Sequence, residues 1–316
     1  MTSNPTPTKP EILAPAGSRA SFLAALAAGA DAIYCGLKQF SARMEAKNFQ
    51  LEELAALTAL AHDRRAKVYV TLNSLLKADD LDAVGEMLTV LQQRVKPDAL
   101  IVQDPGLIPL AEQAGYAGEI HLSTLSNVSF AAALQTVRRF PQVRRVVLPR
   151  ELSIDEIKTM AARCPEGLSL EVFIHGALCY AVSGRCYWSS YLGGKSGLRG
   201  RCVQPCRRMY RQGEQPSRFF SCLDLSLDVL VKVLGEIPQV RGWKIEGRKK
   251  GPHYVYYTVS AYQILRDLES QDESKATAKK SALELLEQAL GRSGTHYGFL
   301  PQRPQNPVDV KMQTGS

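Results

Sequence analysis

The sequence predicts an α/β protein, a (β/α)8 barrel with a long cysteine-rich insertion after the seventh strand. Short apolar segments alternate with helical patterns along most of the chain, in the strand-then-helix order expected of parallel strands. Eight such units can be counted, and eight favour closure into a barrel over an open doubly wound sheet. A chain of 316 residues also suits one barrel with insertions.

The predicted strands are short and apolar on both faces, which is typical of strands buried between a core and a layer of helices. In chain order they cover residues 11–15, 32–36, 67–72, 99–103, 119–123, 145–148, 168–174 and 242–246. The predicted helices cover residues 18–28, 51–63, 80–95, 106–114, 129–140, 153–163, 225–234, 254–268 and 281–290. Ser18 is suited to cap the first helix and Gly29 to end it.

The remaining segments set the expected organisation of the chain. Residues 1–10 contain no apolar run and are expected to be a disordered lead-in. The barrel is expected to occupy residues 11–268, and residues 269–316 to form a C-terminal helix and tail. No segment approaches the roughly 18 apolar residues of a membrane-spanning helix. We therefore expect a cytoplasmic protein without membrane insertion.

The seventh unit breaks the pattern, because residues 175–223 form an insertion after a strand's C-terminal end. In barrels of this class that end carries the active site. Long insertions in compact domains are usually functional or disordered, and this one is too rich in cysteine and aromatic residues for disorder. The insertion is therefore the first place to look for function.

Cysteines are concentrated in the insertion, which holds five of the seven in the chain: Cys179, Cys186, Cys202, Cys206 and Cys222. In a reducing compartment such a group indicates metal ligands rather than disulfides. The Cys-x6-Cys and Cys-x3-Cys spacings lack the Cys-x2-Cys knuckles of zinc ribbons, although zinc remains an alternative. Scattered thiolates suit a 4Fe-4S cluster better. Cys35 and Cys164 are expected to be small buried hydrophobic residues.

Four ligands must be chosen from five cysteines. We predict that Cys179, Cys186, Cys202 and Cys222 bind the cluster, with Cys206 as the alternative to Cys222. Cys202 and Cys206 could both bind if they begin a short helix, because residues three or four apart share a helix face.

The insertion is also strongly basic. Residues 176–213 contain no Asp or Glu but seven basic residues, close to the whole net charge of +8: Arg185, Lys195, Arg199, Arg201, Arg207, Arg208 and Arg211. Arginines interleaved with aromatic rings suit single-stranded nucleic acid, since guanidinium groups bind phosphates and rings stack on bases. The predicted nucleic-acid contacts are Arg199, Arg201, Arg207, Arg208, Trp188 and Tyr191. Alternatively, the cations offset the negative charge of a cluster, or form a solvated loop.

Polar residues at predicted strand ends form the candidate site. Arg43, Arg150 and Arg248 are suited to bind an organic acid bidentately, and Asn73 lies at the same edge. Glu246 is a candidate general base, with an ion pair to Arg248 or Lys244 as the alternative. His175 is a candidate catalytic residue, with a structural hydrogen bond as the alternative.

Four segments in combination resemble the collagenase-like peptidase family U-32. They are APAGSRASFLAALAAGADAIYCGLKQFSAR, HGALCYAVSGRC, GRCVQPCRRMY and KIEGRKKGPHYV, and the resemblance covers about residues 11–265. Members with defined roles hydroxylate a nucleobase in tRNA or ribosomal RNA, or assist oxygen-independent hydroxylation in ubiquinone synthesis. The resemblance implies a 4Fe-4S cluster held by four cysteines and, in the RNA branch, prephenate as the oxygen source.

Residue by residue, the resemblance places the family's HGxxC-x6-C pair on Cys179 and Cys186 and its next ligand on Cys202. The fourth ligand would fall on Cys222. Characterised members continue into a C-terminal β-rich part, near whose start this chain stops. We therefore expect a shortened form, a short paralogue, or one subunit of a heterodimer with a related chain.

Three other functions compete with RNA hydroxylation, which is the leading hypothesis because of the basic insertion. One is hydroxylation in ubiquinone biosynthesis. A second is peptidase activity, but the sequence contains neither GxSxG nor HExxH, motifs that would supply a nucleophile with its base or an open metal site. The third is a non-catalytic subunit that binds RNA or a partner protein.

Overall fold

Eight parallel strands close into a barrel, which confirms the predicted fold class. The structure, a computed structural model, describes residues 9–44, 46–221, 223–268, 274–289 and 295–296. The barrel strands are β1 (Glu11–Ala16), β2 (Ala32–Gly36), β3 (Lys67–Leu72), β4 (Ala99–Val102), β5 (Glu119–Leu122), β6 (Val143–Val147), β7 (Ser169–Ala177) and β11 (Val240–Ile245). Strands β1 to β7 pair in sequence, and β11 pairs in parallel with both β7 and β1 to complete the circle.

Helices cover the outside of the barrel. They are α1 (Arg19–Ala27), α2 (Leu51–Asp63), α3 (Leu81–Val90), α4 (Leu107–Gln113), α5 (Ala131–Val137), α6 (Ile154–Ala162), α8 (Val231–Gly235), α9 (Pro252–Asp267) and α10 (Ser274–Gln288), whereas α7 (Trp188–Gly193) belongs to the insertion. The predicted cap of α1 is confirmed, since Ser18 Oγ accepts a hydrogen bond from the backbone N–H of Ser21 at 3.3 Å. None of the described helices is long and apolar enough to cross a membrane.

The barrel interior is more polar than the apolar strand patterns suggested. Side chains that point outward, such as Ile12, Ile33 and Val70, pack against the helices in one large apolar core. Inside, four ionisable side chains are almost fully buried: His121, Arg145, Glu171 and Lys244. Each follows the two-residue alternation of its strand, which turns one residue in two toward the barrel axis. Strand patterns therefore predicted the barrel but not its charged interior.

Between β7 and β11 the chain forms short elements of its own. They are the hairpin β8 (Tyr210–Gln212) and β9 (Gln215–Ser217), then β10 (Asp224–Ser226), which pairs antiparallel with the end of β7 and in parallel with β12 (Thr295–His296). The predicted helix over residues 225–234 is therefore wrong in its first half. Sheet pairing with β7 takes the backbone of Leu225 and Ser226, and the helix is confined to α8.

The insertion lies across the carboxyl end of the barrel. Leu198 O accepts a hydrogen bond from Leu75 N in the loop after β3, and Ser183 is bound through its backbone N–H to Glu151 in the loop after β6. A side chain on Gly200 would overlap the carbonyl of Ser41 in the loop after β2, and its φ of 78° also favours glycine. The insertion thus covers the barrel mouth.

Candidate functional site

A cavity of about 80 Å³ lies at the mouth, where the carboxyl ends of the strands meet. Its lining includes Tyr34, Arg43, Thr71, Asn73, Ile101, Ser123, Val147, Arg150, Phe173, Lys244, Glu246 and Arg248. Five of the six residues predicted from strand ends thus come together here, the exception being His175. Among the described residues, Glu246 is the only carboxylate in this lining, against four cationic side chains.

Glu246 follows β11 and is held by two arginines. Arg43 donates to Oε1 at 3.0 Å and Arg150 donates to Oε2 at 3.3 Å, so the ion pair forms with these residues rather than with Arg248 or Lys244. Burial alone would raise the pKa of Glu246, but the two guanidinium groups outweigh it and lower the pKa to about 2. With both arginines in place, Glu246 is therefore ionised and a weak base at neutral pH.

Arg248 is an almost fully buried cation at the mouth, with 4% of its surface exposed. One of its terminal nitrogens donates to Ser41 Oγ at 2.7 Å and to Thr71 Oγ1 at 2.9 Å. Gly36, at the end of β2, makes room for this guanidinium, because a Cβ there would overlap it. Burial lowers the pKa of Arg248, yet an arginine remains charged at any physiological pH. It thus contributes a fixed positive charge behind Glu246.

Asn73 and Arg150 shape the walls of the cavity. Asn73 Oδ1 accepts a hydrogen bond from Ala42 N at 2.9 Å and so fixes the loop that carries Arg43. The Arg150 guanidinium lies 3.7 Å from the centroid of the Phe173 ring. Its Nε is buried and, within the described residues, has no hydrogen-bond partner. Arg150 therefore retains an unused donor.

His175 is not brought to the cavity. Its ring lies on the helix side of β7, where the centroid is 5.7 Å from that of Tyr262 and 6.0 Å from that of Tyr254 in α9. A bulge in the pairing of β7 with β11 interrupts the alternation just before His175. Burial lowers the pKa of His175 to about 4, so the ring is neutral. The structure therefore places the His175 ring away from the side chains of Glu246 and Arg248.

Sequence reasoning also missed two residues that line the cavity. Lys244 Nζ lies 2.7 Å from Glu171 Oε1 and 4.4 Å from the Tyr34 ring centroid. Tyr34 in turn donates to the carbonyl of Ile245 at 2.9 Å. The two-residue alternation of GWKIE places Lys244 on the same face as Glu246, which is the signal that could have identified it.

Three predicted cluster ligands, Cys179, Cys186 and Cys202, lie near one another in the insertion, and Cys202 also lies near Arg43. Cys179 and Cys202 are near enough to Cys186 for their thiolate charges to raise its pKa, which burial already raises. Cys202 also interacts electrostatically with Arg43, and its Sγ lies 3.6 Å from Ser189 Oγ. Cys222 lies outside the described residues, and Cys206 is half-buried in a short helical turn at 205–207. The choice between them as fourth ligand stays open.

The described cysteines do not form a ready-made site for a single metal ion. In the portion of the chain that the structure describes, no three His, Cys, Asp or Glu side chains are arranged to hold one metal ion. Sulfurs that ligate one cubane lie farther apart than ligands of a single ion, since each binds a different iron atom. Neighbouring thiolates repel each other without a positive centre. Cys35 is buried in the apolar core, as expected, whereas Cys164 is only half-buried and packs against that core.

The basic segment divides into engaged and exposed cations. Arg199 forms an ion pair with Asp80 at 3.0 Å, and Arg207 donates to Ser221 Oγ at 2.8 Å and to the carbonyl of Leu178. These contacts hold the insertion together. Arg201 and Arg208 are exposed. Of the four arginines predicted to contact nucleic acid, these two are exposed, while Arg199 is half-buried with 32% of its side chain exposed and Arg207 is half-buried.

Aromatic residues of the insertion divide in the same way. Trp188 stacks on Tyr210 with ring centroids 5.9 Å apart and meets the edge of Phe220 at 5.0 Å, so it packs within the insertion. Tyr191 is 87% exposed on α7. Tyr191 is therefore exposed enough to stack on a ring of another molecule, whereas the Trp188 ring already packs against Tyr210 and Phe220.

Comparisons with known proteins agree with the motif resemblance. The model of a family described as peptidase family U32 matches residues 17–309. The chain is 35% identical over 271 residues to a collagenase of Porphyromonas gingivalis, covering 80% of this chain and 64% of that protein. It is 34% identical over 297 residues to tRNA hydroxylation protein P1 of Bacillus subtilis, covering 90% and 69%.

A third relative is named for ribosomal RNA. The chain is 36% identical over 302 residues to a 23S rRNA 5-hydroxycytidine synthase of Escherichia coli, covering 91% of this chain and 45% of that protein. The chain thus spans between 45% and 69% of the length of these three relatives. The family match extends over most of the sequence and over every segment that lines the mouth, and on that basis the chain belongs to peptidase family U32.

Proposed function

We propose that this chain takes part in the hydroxylation of a base in RNA. A 4Fe-4S cluster would be held by Cys179, Cys186, Cys202 and a fourth thiolate from Cys222 or Cys206. A carboxylate-bearing co-substrate such as prephenate would bind at the mouth. It would give up a hydroxyl oxygen to the base and take a hydrogen in its place, so that the two electrons lost by the base reduce the co-substrate. The names of two relatives, a tRNA hydroxylation protein and a 23S rRNA 5-hydroxycytidine synthase, support the reaction type.

The position of Cys202 near Arg43 supports this proposal independently of the relatives' names. The thiol group of Cys202 lies close enough to interact with Arg43, which itself belongs to a mouth with more cations than anions. A carboxylate bound to Arg43 and Arg150 would therefore lie beside the thiolates. A bound 4Fe-4S cluster supplies one-electron chemistry, which hydroxylation of an unactivated ring requires.

The chain's own residues would bind the co-substrate and control one proton. Arg150 offers its unused Nε, and Arg248 adds a fixed charge behind the carboxylate. A co-substrate that draws Arg43 and Arg150 away from Glu246 removes the groups that lower its pKa. Glu246 would then become a stronger base, able to take a proton from the reacting ring. Binding and base strength would thus be coupled.

The geometry supports a peptidase less well, despite the family name. A hydroxyl nucleophile needs a neighbouring base. Of the hydroxyls that line the cavity, Thr71 accepts from the Arg248 guanidinium, which cannot take up a proton, Ser123 accepts from the backbone N–H of Leu125, and Thr124 donates to the carbonyl of Leu148. No histidine of the described residues lines the cavity. Among the described residues, none of these three hydroxyls is hydrogen-bonded to a lysine, a histidine or a carboxylate that could act as its base.

The test compares wild type with a Cys186→Ala/Cys202→Ala variant. Protein purified without oxygen should contain about four iron atoms per chain and absorb visible light, and the variant should lose both properties. RNA from cells that lack this protein should lack a hydroxylated nucleoside by mass spectrometry. Wild type should restore it and the variant should not.

Cys164→Ala is the matched control, because this thiol lies in the outer core away from the mouth. It should keep both iron and activity. Iron-free wild-type protein would remove the cluster from the proposal. Iron-loaded protein whose deletion leaves every RNA nucleoside unchanged would point instead to an aromatic small molecule such as a quinone precursor.

A further inference from the structure

A second, larger recess lies beside the mouth. This groove of about 680 Å³ runs between the loop after β2, the start of α3 and the insertion. Its volume is in the range of sites that hold a whole small ligand or a nucleotide. Most of the predicted nucleic-acid contacts lie elsewhere on the insertion, so the groove was not apparent from the sequence.

The groove and the mouth cavity share a wall. Arg43 and Asn73 line the cavity, while the next residue in each case, Met44 and Ser74, lines the groove. Consecutive Cα atoms are only about 3.8 Å apart. A chain molecule with one unit in the cavity could therefore place the adjoining unit in the groove.

Charge in the groove favours an anion. It is lined by four cationic residues, Lys77, Lys195, Arg199 and Arg201, and by two acidic residues, Asp79 and Asp80. Asp80 is already engaged, since it accepts from Lys77 N at 2.8 Å and from Arg199 at 3.0 Å. The buried Nη1 of Arg199 has no hydrogen-bond partner among the described residues. The groove therefore keeps an excess of positive charge.

An aromatic ring completes the lining. Phe40 lines the groove with a φ of 57°, a backbone conformation that aromatic residues rarely adopt. Backbone held in a sparsely populated region often marks a functional position. A ring beside a row of cations is the combination that binds single-stranded nucleic acid, with the ring under a base and the cations on phosphates.

We propose that this groove binds the nucleotide next to the target base in a single-stranded stretch of RNA. Lys195 and Arg201 would contact its phosphate, Arg199 would add its positive charge to the same wall, and Phe40 would stack on its base. This inference rests on the proposed function and names the place where the RNA strand lies. It assigns the contact to the groove rather than to the whole basic insertion.

The test measures binding of a fluorescein-labelled single-stranded RNA of about 10 nucleotides by the full-length protein at low and high salt. The variant Lys195→Glu/Arg201→Glu should raise the Kd at least about tenfold. It should also reduce the slope of log K against log salt by about 0.7, for the one phosphate that these two residues neutralise. Phe40→Leu should raise the Kd about fivefold or more without changing that slope.

Arg211→Glu/Arg218→Glu is the matched control, because it reverses two exposed charges of the same segment outside the groove. It should raise the Kd by less than about threefold. Equal losses in the two charge variants, or no binding by wild type, would overturn the groove as the RNA site.

The groove and the proposed function can fail separately. The groove variant should keep its iron while losing RNA hydroxylation, whereas the cysteine variant loses iron. If wild type hydroxylates RNA and the groove variant does so equally well, the groove inference falls and the proposed function stands. If wild type hydroxylates no RNA, the proposed function itself fails.

Discussion

Two charged regions of the barrel interior differ in how their acidic and basic side chains are balanced. In its amino-terminal half, Glu171 accepts from Lys244 at 2.7 Å and from Arg145 at 3.3 Å, and Arg145 also pairs with Glu11 at 2.6 Å. The buried Glu171 and the half-buried Glu11 thus match the buried Lys244 and Arg145, and the exposed Lys67 is a further partner of Glu11. At the mouth, Glu246 alone faces Arg43, Arg150 and Arg248. One end of the barrel is neutral and the other is positive.

The difference indicates which region is structural and which awaits a ligand. A buried charge without a partner costs several kcal/mol, so a balanced network stabilises the fold only while it stays complete. The mouth tolerates its excess charge because Arg43 is 31% exposed and water reaches it. Such a site gains free energy when an anion binds, whereas the balanced network gains nothing.

Removing one acid from each region should give the largest difference in stability between the two regions. Glu171→Ala leaves Lys244 and part of Arg145 buried without a counter-charge, and we expect the free energy of unfolding to fall by about 3–5 kcal/mol. Glu246→Ala should cost less, about 1–3 kcal/mol, since Arg43 is 31% exposed to water although Arg150 is only 12% exposed. Urea unfolding followed by circular dichroism measures both. Equal losses of unfolding free energy would mean that the charges at the mouth stabilise the fold as much as the charges in the amino-terminal half of the barrel.

The same contrast shows what the sequence could predict. Local patterns gave the eight strands, the cap at Ser18 and the arginines that follow strands, because each depends on a few neighbouring residues. The partners of Glu246 could not be predicted, since Arg43 and Arg150 meet it only after the barrel closes. The groove likewise joins Phe40, Lys77 and Arg201 from three loops, a proximity that no local pattern contains.

His175 is buried and neutral, so protonating it would place a charge in the interior of the folded protein. The dependence of stability on pH tests this. Burial lowers the pKa of His175 to about 4, against 6.5 in the unfolded chain, although Asp224 and Asp228 partly oppose the effect and Lys250 reinforces it. Above pH 6.5 the ring is neutral in both states. As the pH falls from 6.5 to 4, the unfolded chain takes up the proton first, so the folded state loses stability.

We expect this loss to reach about 3 kcal/mol at pH 4, at 1.36 kcal/mol for each pH unit between the two pKa values. The measurement is the free energy of unfolding of wild type and His175→Phe across this pH range. Phenylalanine keeps a ring between Tyr254 and Tyr262 but does not titrate, so the difference between the two proteins isolates His175. Parallel pH profiles would contradict the buried, neutral assignment.

Charge at the mouth should affect binding more than folding, and Arg150 allows this to be tested directly. Arg150→Met removes the guanidinium but keeps an apolar chain that can still contact the Phe173 ring. A hydrogen bond to a charged group contributes about 1.5–3 kcal/mol, so the Kd for prephenate should rise between about tenfold and 150-fold by calorimetry. The free energy of unfolding should change by about 1 kcal/mol or less.

Arg150→Lys sharpens the same test, because lysine keeps the charge but loses the planar fork that binds a carboxylate through two parallel hydrogen bonds. Its affinity should fall between those of wild type and Arg150→Met. An unchanged Kd in both variants would show that the positive mouth is not where the acid binds. A large loss of stability with little loss of affinity would place Arg150 with the structural network of Arg145 and Glu171. The intermediate rank of lysine therefore decides whether the mouth recognises a carboxylate by shape as well as by charge.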